Sequence, residues 1–229
     1  MNKKRFIDLS RSINSDMPVY PGDSSVQIVD MNAGKKDIMY EQFVLHMGLH
    51  TGTHIDGVAH VRRNNNKSGN KSITHIADVP LDRLTGNGCL LDARGMHEIE
   101  YIAAYEQRVH ENDVVLLYTG HDTKYGTAEY YKTHPVITEK LAQFFVDKKV
   151  IAVGIDAPSV ESAFDVNTDS NTEELSSDIH RRLLDNNILI LENLCNLDQL
   201  IDIHEFEVFF FPLKIAADSS PLRVVVRVL

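Results

Sequence analysis

Five short apolar runs constrain the fold of this chain more than any other feature of it. Val114-Val-Leu-Leu-Tyr118, Val150-Ile-Ala-Val-Gly-Ile155, Ile188-Leu-Ile-Leu191, Phe206-Glu-Val-Phe-Phe-Phe211 and Leu222-Arg-Val-Val-Val-Arg-Val-Leu229 are β-branched or aromatic and four to eight residues long. That is the length and chemistry of strands rather than helices. The middle runs are apolar on both faces, as expected for strands covered from both sides. Two helical patterns interrupt the series. Thr138 to Lys149 puts Leu141, Phe144, Phe145 and Lys148 on one face, with Thr138 as a good N-cap. A second, from about Ser176 to Asp185, carries Ile179, Leu183 and Leu184. Strand–helix–strand spacing from residue 114 to 191 predicts a central sheet with crossover helices, and the C-terminal strands look more antiparallel. The expectation is one α/β domain over residues 1–229, a mixed sheet with crossover helices; one domain of that length is ordinary.

Charge narrows the function. The net charge of −10, with no basic stretch beyond Lys3-Lys4-Arg5, argues against a nucleic-acid partner, which needs a cationic footprint. No apolar run approaches the roughly 20 residues that span a bilayer. The N-terminus turns polar again after two apolar residues, which leaves no export-signal core. Cys89 and Cys195, the two cysteines, both sit among aliphatics and read as small buried hydrophobes. The expected setting is therefore the cytoplasm, with no membrane partner. Arg62 to Lys71 is polar and glycine-containing and reads as a surface connector, next to a motif where a lid would also be useful.

That motif is the chemical centre of the sequence. Four of the eleven histidines fall at positions 46, 50, 54 and 60, with Asp56 between them. Neutral imidazole and carboxylate are the usual ligands of Zn²⁺, Mn²⁺ and Fe²⁺. On a strand, His50 and His54 would stand about 13 Å apart at 3.3 Å per residue, too far to share an ion. On a helix they would be neighbours, but Asp56 would fall roughly 160° round from His54. A turn can gather all three, and Gly52 and Gly57 permit unusual dihedrals. Position 51 is Thr, which rules out the metalloprotease H-E-x-x-H pattern. Two histidines and one carboxylate leave coordination positions open for water and substrate. A lone histidine usually caps a loop; a cluster of this density argues for ligation.

His50-x-Gly-Thr-His54-x-Asp56-x-x-x-His60 resembles the H-x-G-T-H-x-D-x-P-x-H signature of the cyclase-like metal hydrolases, a family that includes bacterial kynurenine formamidases and isatin hydrolases. Asp8-Leu-Ser10, Pro18-Val-Tyr-Pro-Gly-Asp23, Tyr118-Thr-Gly120, Val153-Gly-Ile-Asp156 and Ser220-Pro-x-Arg223 resemble other family segments in the right order. Val58 replaces the motif's proline, a change that removes loop rigidity but no ligand. The chain has no Trp, and Tyr20 stands where formamidases acting on kynurenine derivatives often carry a larger aromatic. The resemblance implies a swivelling β/β/α fold, a homodimer or homotetramer, and Tyr20 as a substrate contact.

Glu192 follows four aliphatics at the carboxyl end of its strand, where open α/β sheets place their ligands. Buried there, a carboxylate needs a cation or donors. His180 precedes it on the second helix; on the residues alone, a metal role and a plain surface or strand-end role weigh equally for the pair. The resemblance assigns both to a second metal, bridged to the first through Asp56, so one or two ions per chain are expected, Zn²⁺ first and Mn²⁺ as the alternative. Asp156 reads equally well as an orienting acceptor or as the start of a turn. His46 reads as packing, His121 as loop surface, and His75, His97, His110, His134 and His204 as surface histidines.

The expected reaction is hydrolysis of a small amide. A bound ion lowers the pKa of its water toward about 7, giving hydroxide for attack on the carbonyl, and offsets the charge on the oxyanion. His60, outside the three-ligand set but on the same turn, can take a proton from the nucleophile and pass it to the leaving nitrogen, a task imidazoles perform near neutral pH. The resemblance makes N-formylkynurenine the first substrate, with a cyclic amide such as isatin or a lactone next. Two readings from other classes share the ligand set: a non-haem iron oxygenase and a non-catalytic metal-binding domain.

Overall fold

A computed structural model of the chain describes residues 5–61, 75–162 and 178–229. The connector from Arg62 to Lys71 lies outside the described residues, as do residues 176 and 177 of the second predicted helix. The strands are β1 (Arg5–Asp8), β2 (Gln27–Asp30), β3 (Phe43–His46), β4 (His54–Asp56), β5 (Thr85–Asp92), β6 (Glu98–Ile99) and β7 (Val114–Tyr118), then β8 (Val136–Ile137), β9 (Ala152–Ile155), β10 (Leu189–Glu192), β11 (Phe206–Phe209), β12 (Ser219–Pro221) and β13 (Val225–Val228). The helices are α1 (Ala128–Lys132), α2 (Glu139–Lys148) and α3 (Asp178–Asp185).

Among the described residues, nine strands form one mixed sheet in the order β1-β13-β11-β5-β7-β9-β10-β4-β12. Its centre, β5-β7-β9-β10, is parallel. Both flanks are antiparallel: β11, β13 and β1 on one side, β4 and β12 on the other. The apolar runs thus become the parallel centre and its antiparallel C-terminal flank. The connections between the parallel strands carry α2 and α3, as the spacing predicted. Thr138 caps α2: its hydroxyl accepts from the Leu141 N–H at 3.3 Å.

The parallel strands are buried on both faces because each face belongs to a different core. Leu91, Val115, Leu117, Val153 and Ile190 pack with Leu141 and Phe145 of α2 and Leu183 of α3. Their alternating neighbours Leu90, Leu116 and Leu191 pack instead with Ile7, Phe206, Val208 and Val226 from the antiparallel flank. Strands from both ends of the sheet meet in this second core, so the sheet curls over itself. Among the described residues no helix is long and apolar enough to cross a membrane. Within the described residues, β2 and β3 pair only with each other, as a separate antiparallel hairpin.

Candidate metal centre

β4 lies antiparallel between β10 and β12, and this pairing assembles the centre. His54 stands opposite Glu192 on one side and Pro221 on the other; Asp56 stands opposite Ile190 and Ser219. Residues two apart on a strand share a face, so His54 and Asp56 point the same way as Glu192. His50 arrives from the turn before β4, and His60 from the single helical turn Val58–His60 that follows. α3 supplies His180. Asp218, the residue before β12, completes the set.

The donor atoms converge tightly. Asp56 Oδ1 lies 2.8 Å from His50 Nδ1 and 3.5 Å from His54 Nε2. Asp56 Oδ2 lies 3.7 Å from His180 Nε2. Glu192 reaches both sides, with Oε2 at 3.4 Å from His54 Nε2 and Oε1 at 3.4 Å from His180 Nε2. His50, His54 and Asp56 form one potential ligand group; Asp56, His60 and His180 form another, each with its donor atoms within 4.8 Å of one another. Asp56 belongs to both.

These residues fit a divalent cation on protonation grounds alone. His54 Nδ1 faces the Gly52 carbonyl at 2.9 Å, and a carbonyl only accepts, so this nitrogen carries the proton. His180 Nδ1 is likewise held by the Glu161 carboxylate at 2.9 Å. In the neutral rings, each Nε2 then presents a lone pair to carboxylates. Among the described residues, His54 Nε2 and both Asp56 oxygens are buried with no hydrogen-bond partner. Acceptors facing acceptors in a buried cluster require a cation or added protons. The titration of the cluster without an ion shows the same demand. Burial disfavours the His50 imidazolium, but the carboxylates of Asp56 and Asp218 outweigh it and lift the group to about 9. Burial works against the His54 and His180 imidazoliums too, yet the neighbouring carboxylates raise both. Burial would raise the carboxyl of Glu192, but His180 and His54 hold it far below the carboxylate range.

The centre floors a cavity of about 600 Å³ whose wall includes Tyr20, Tyr131, Asp23, Arg181, Glu161 and Asn193. Tyr20 and Tyr131 meet edge to face with ring centroids 5.6 Å apart. His60 is one-third exposed to this cavity, its side chain 32% accessible, and its Nδ1 lies 3.0 Å from Asp218 Oδ2.

Comparison with known proteins follows the same lines. The pattern of the Cyclase family matches residues 7–162. The chain belongs to the Cyclase family. Relatives of this cyclase-family chain include the kynurenine formamidase of Bacillus mycoides strain KBAB4, 28% identical over 233 residues that cover 99% of both chains. That of Bacillus anthracis is 27% identical over 229 residues, again covering 99% of each. Among solved structures, isatin hydrolase A from Ralstonia solanacearum shares the fold with a TM-score of 0.78 at 21% identity, covering 99% of this chain and 92% of that one.

The structure brings His50, His54, Asp56, His60, His180 and Glu192 together around one point, and Tyr20 onto the cavity wall. It corrects several expectations. The motif is a turn followed by a short strand, not one turn: Gly52 takes the left-handed φ of +68° that favours glycine, but Gly57 is extended at φ −103°. Gly57 is required for room, since a Cβ there would sit 2.8 Å from Ile76 Cδ1 and 3.1 Å from the Asp218 carbonyl oxygen. His121 and His134 are buried, not surface. Each takes a backbone carbonyl on Nε2, from Tyr130 and Glu161 respectively. His46 is exposed on the β2–β3 hairpin and belongs to none of the potential ligand groups among the described residues. Asp156 begins a turn: it accepts from the N–H groups of Thr119 and Gly120 and from the Thr119 hydroxyl, tying β7 to β9, and none of its bonds reaches a site histidine. Burial pushes its carboxyl up to about 6 against those hydrogen bonds. Two carboxylates escaped the sequence reading, Glu161 and Asp218. Neither sits in a histidine-rich stretch. The only signal for Asp218 is its place two residues before the Ser220-Pro-x-Arg223 segment.

Proposed function

We propose that the protein is a metal-dependent amide hydrolase of the arylformamidase type, with N-formylkynurenine as its first substrate. The observation that carries this reading is the buried set of His54 Nε2 and Asp56 oxygens without hydrogen-bond partners among the described residues, with His54 lining an aromatic-walled cavity. Full-length likeness to kynurenine formamidases supports the substrate class. An ion held by His50, His54 and Asp56, with a second by Asp56, His180 and Glu192, would polarise the amide carbonyl and acidify a water. Zn²⁺ suits this donor set of imidazoles and carboxylates best, with Mn²⁺ next.

The chain's own groups do the rest. Asp218 occupies Nδ1 of His60, which leaves Nε2 free for proton traffic on the cavity side. Neutral Nε2 accepts a proton from the attacking water and returns it to the leaving nitrogen, which departs as a neutral amine. Tyr20 and Tyr131 offer an aromatic wall suited to edge-to-face contact with an aryl ring. Two charged residues on the cavity wall, Asp23 and Arg181, suit a zwitterionic amino-acid tail.

The test is metal analysis of purified protein, followed by turnover on a panel of formamides, cyclic amides and lactones. Stoichiometric zinc with formamide turnover supports the reading; oxygen consumption on the iron-loaded protein would favour an oxygenase instead. His60→Ala is expected to keep its metal and lose most turnover. Loss of both together would make His60 a ligand, a role that its proximity to Asp56 and His180 also allows. For assembly we propose a homo-oligomer. The β2–β3 hairpin supports it by exposing Ile28, Val29, Met39, Tyr40, Phe43 and Leu45 to solvent. Cys89 and Cys195 are free thiols, which suits a reducing, cytoplasmic setting.

A further inference from the structure

We infer that Asp218 is a positioning residue that sets the tautomers of His50 and His60 through a single carboxylate oxygen. Asp218 Oδ2 lies 3.1 Å from His50 Nε2 and 3.0 Å from His60 Nδ1, and the two rings are 4.4 Å apart. An ionised carboxylate only accepts, so both of those nitrogens carry the proton. Carboxylates are ordinarily ionised at neutral pH, and this one faces two ring nitrogens that can both donate to it. One oxygen thus turns His50 so that Nδ1 is its ligand atom, and turns His60 so that Nε2 is its proton-transfer atom. The assignment differs from that of His54 and His180, whose proton sits on Nδ1 and whose Nε2 faces the centre.

The carboxylate is itself fixed from the backbone. The Gly57 N–H donates to the Asp218 carbonyl at 2.8 Å, and Ile76 N–H donates to Ala217 at 2.9 Å. β12 begins at the next residue, where Ser219 stands opposite Asp56. The Ser219 hydroxyl donates to the other oxygen, Oδ1, at 3.4 Å. Asp218 is thus held by the same strand pairing that presents Asp56, and its oxygens are committed to three donors. A residue 158 positions from His60 in sequence orients it to within one hydrogen bond.

The inference rests on the hydrolase reading and adds a residue to it. Its test compares zinc-loaded wild type with Asp218→Asn and Asp218→Glu in kinetics on N-formylkynurenine, zinc per chain, and long-range ¹H–¹⁵N spectra of the histidine rings. Asn keeps the size but offers a weaker, uncharged acceptor; Asp218→Ser gives the same readout if Asn does not fold. With zinc at saturation, the expected result is a full metal complement and KM as in wild type, with kcat lower by about 10- to 100-fold, the usual scale for an outer carboxylate behind a working histidine. The His60 signals should change from one tautomer to a mixture, and Glu should recover part of kcat. Wild-type kcat in an otherwise active Asn variant overturns the inference. So does activity that tracks zinc content and returns to wild type once zinc is saturating, which would confine Asp218 to ion binding. If wild type hydrolyses no formamide, the hydrolase reading fails instead, and an unchanged His60 tautomer in the Asn variant overturns the positioning role by itself.

Discussion

Replacing Glu161 separates the two halves of the centre. Its carboxylate accepts from His180 Nδ1 at 2.9 Å and from the Ile179 N–H at 3.0 Å, so it both starts α3 and aims His180. The two side chains are 11% and 12% exposed, which leaves little solvent to screen or replace the contact. A hydrogen bond to a charged group in such a setting is worth about 1.5–3 kcal/mol. Without it the His180 ring loses its orientation and its preference for a proton on Nδ1, and that energy appears as weaker ion binding through Nε2. At a factor of ten per 1.4 kcal/mol, Glu161→Ala should weaken one zinc-binding step by about 10- to 150-fold. His50 and His54 do not touch Glu161, so the step that depends on them should hold its affinity. Glu161→Gln keeps one acceptor oxygen and should fall between. The assay is calorimetric titration of Zn²⁺ into chelator-stripped protein, with a competing chelator to keep the tight step within range. Equal weakening of every step, or none in any, would refute the assignment of His180 to a separately held ion.

Other perturbations test the frame and its charges. Gly88→Ala would place a Cβ 1.9 Å from the Phe206 ring across the β5–β11 pair. Overpacking of this kind costs about 1–3 kcal/mol. For a chain of this size that lowers Tm by about 2–12 °C, and calorimetry should find much of the loss restored in Gly88→Ala/Phe206→Leu. Thr138→Ala removes the cap on α2 and should cost about 1 kcal/mol in denaturant titration. Without metal, the His50 pKa of about 9 against 6.5 when unfolded gives a pH signature. A raised folded-state pKa stabilises fully below 6.5 and is lost as pH rises through about 9, so chelated protein should melt lower across that window and His50→Gln should flatten the fall. Ion binding runs the other way, since zinc must displace the same proton and its affinity should rise over those pH units.

The legible parts of this protein are those whose cause is local. Val114–Tyr118 and Ile188–Leu191 announce two-sided burial because every side chain in them is apolar, and Thr138 announces a helix start because its hydroxyl caps a neighbour three residues on. The ligand motif is legible because four of its members lie within eleven residues. The partners that orient those ligands are not, because tertiary pairing brings them from far along the chain. Asp218 meets His50 across 168 positions, and Glu161 lies on the loop after β9 while its histidine lies on α3. An aspartate in Ala-Asp-Ser-Ser and a glutamate in Ser-Val-Glu-Ser look like any surface acids. His121 and His134 misled for the mirror reason: nothing in their neighbours shows that a backbone carbonyl waits for each buried ring.

The whole centre depends on one register. β4 is only three residues long, yet it carries two ligands and is paired on both edges. Opposite His54 stands Glu192, and opposite Asp56 stands Ser219, with Asp218 one step before it. A slip of one residue on either side turns side chains to the other face, removing Glu192 in one case and Asp218 in the other. Ile55 prevents such a slip. It lies between the two ligands, points to the opposite face, and is fully buried in the second core with Leu116, Leu191 and Leu194. Its burial is worth roughly 1.5–3 kcal/mol, all of which a one-residue slip would forfeit along with the alignment of the two ligands beside it. The alternation His-Ile-Asp therefore does structural and chemical service at once: the apolar residue locks the pairing that aims the polar ones. Ile55→Thr should accordingly loosen ion binding as well as stability, although residue 55 touches no ligand atom. A variant that melts earlier yet binds zinc as wild type would show that the ion, and not the core, holds the register.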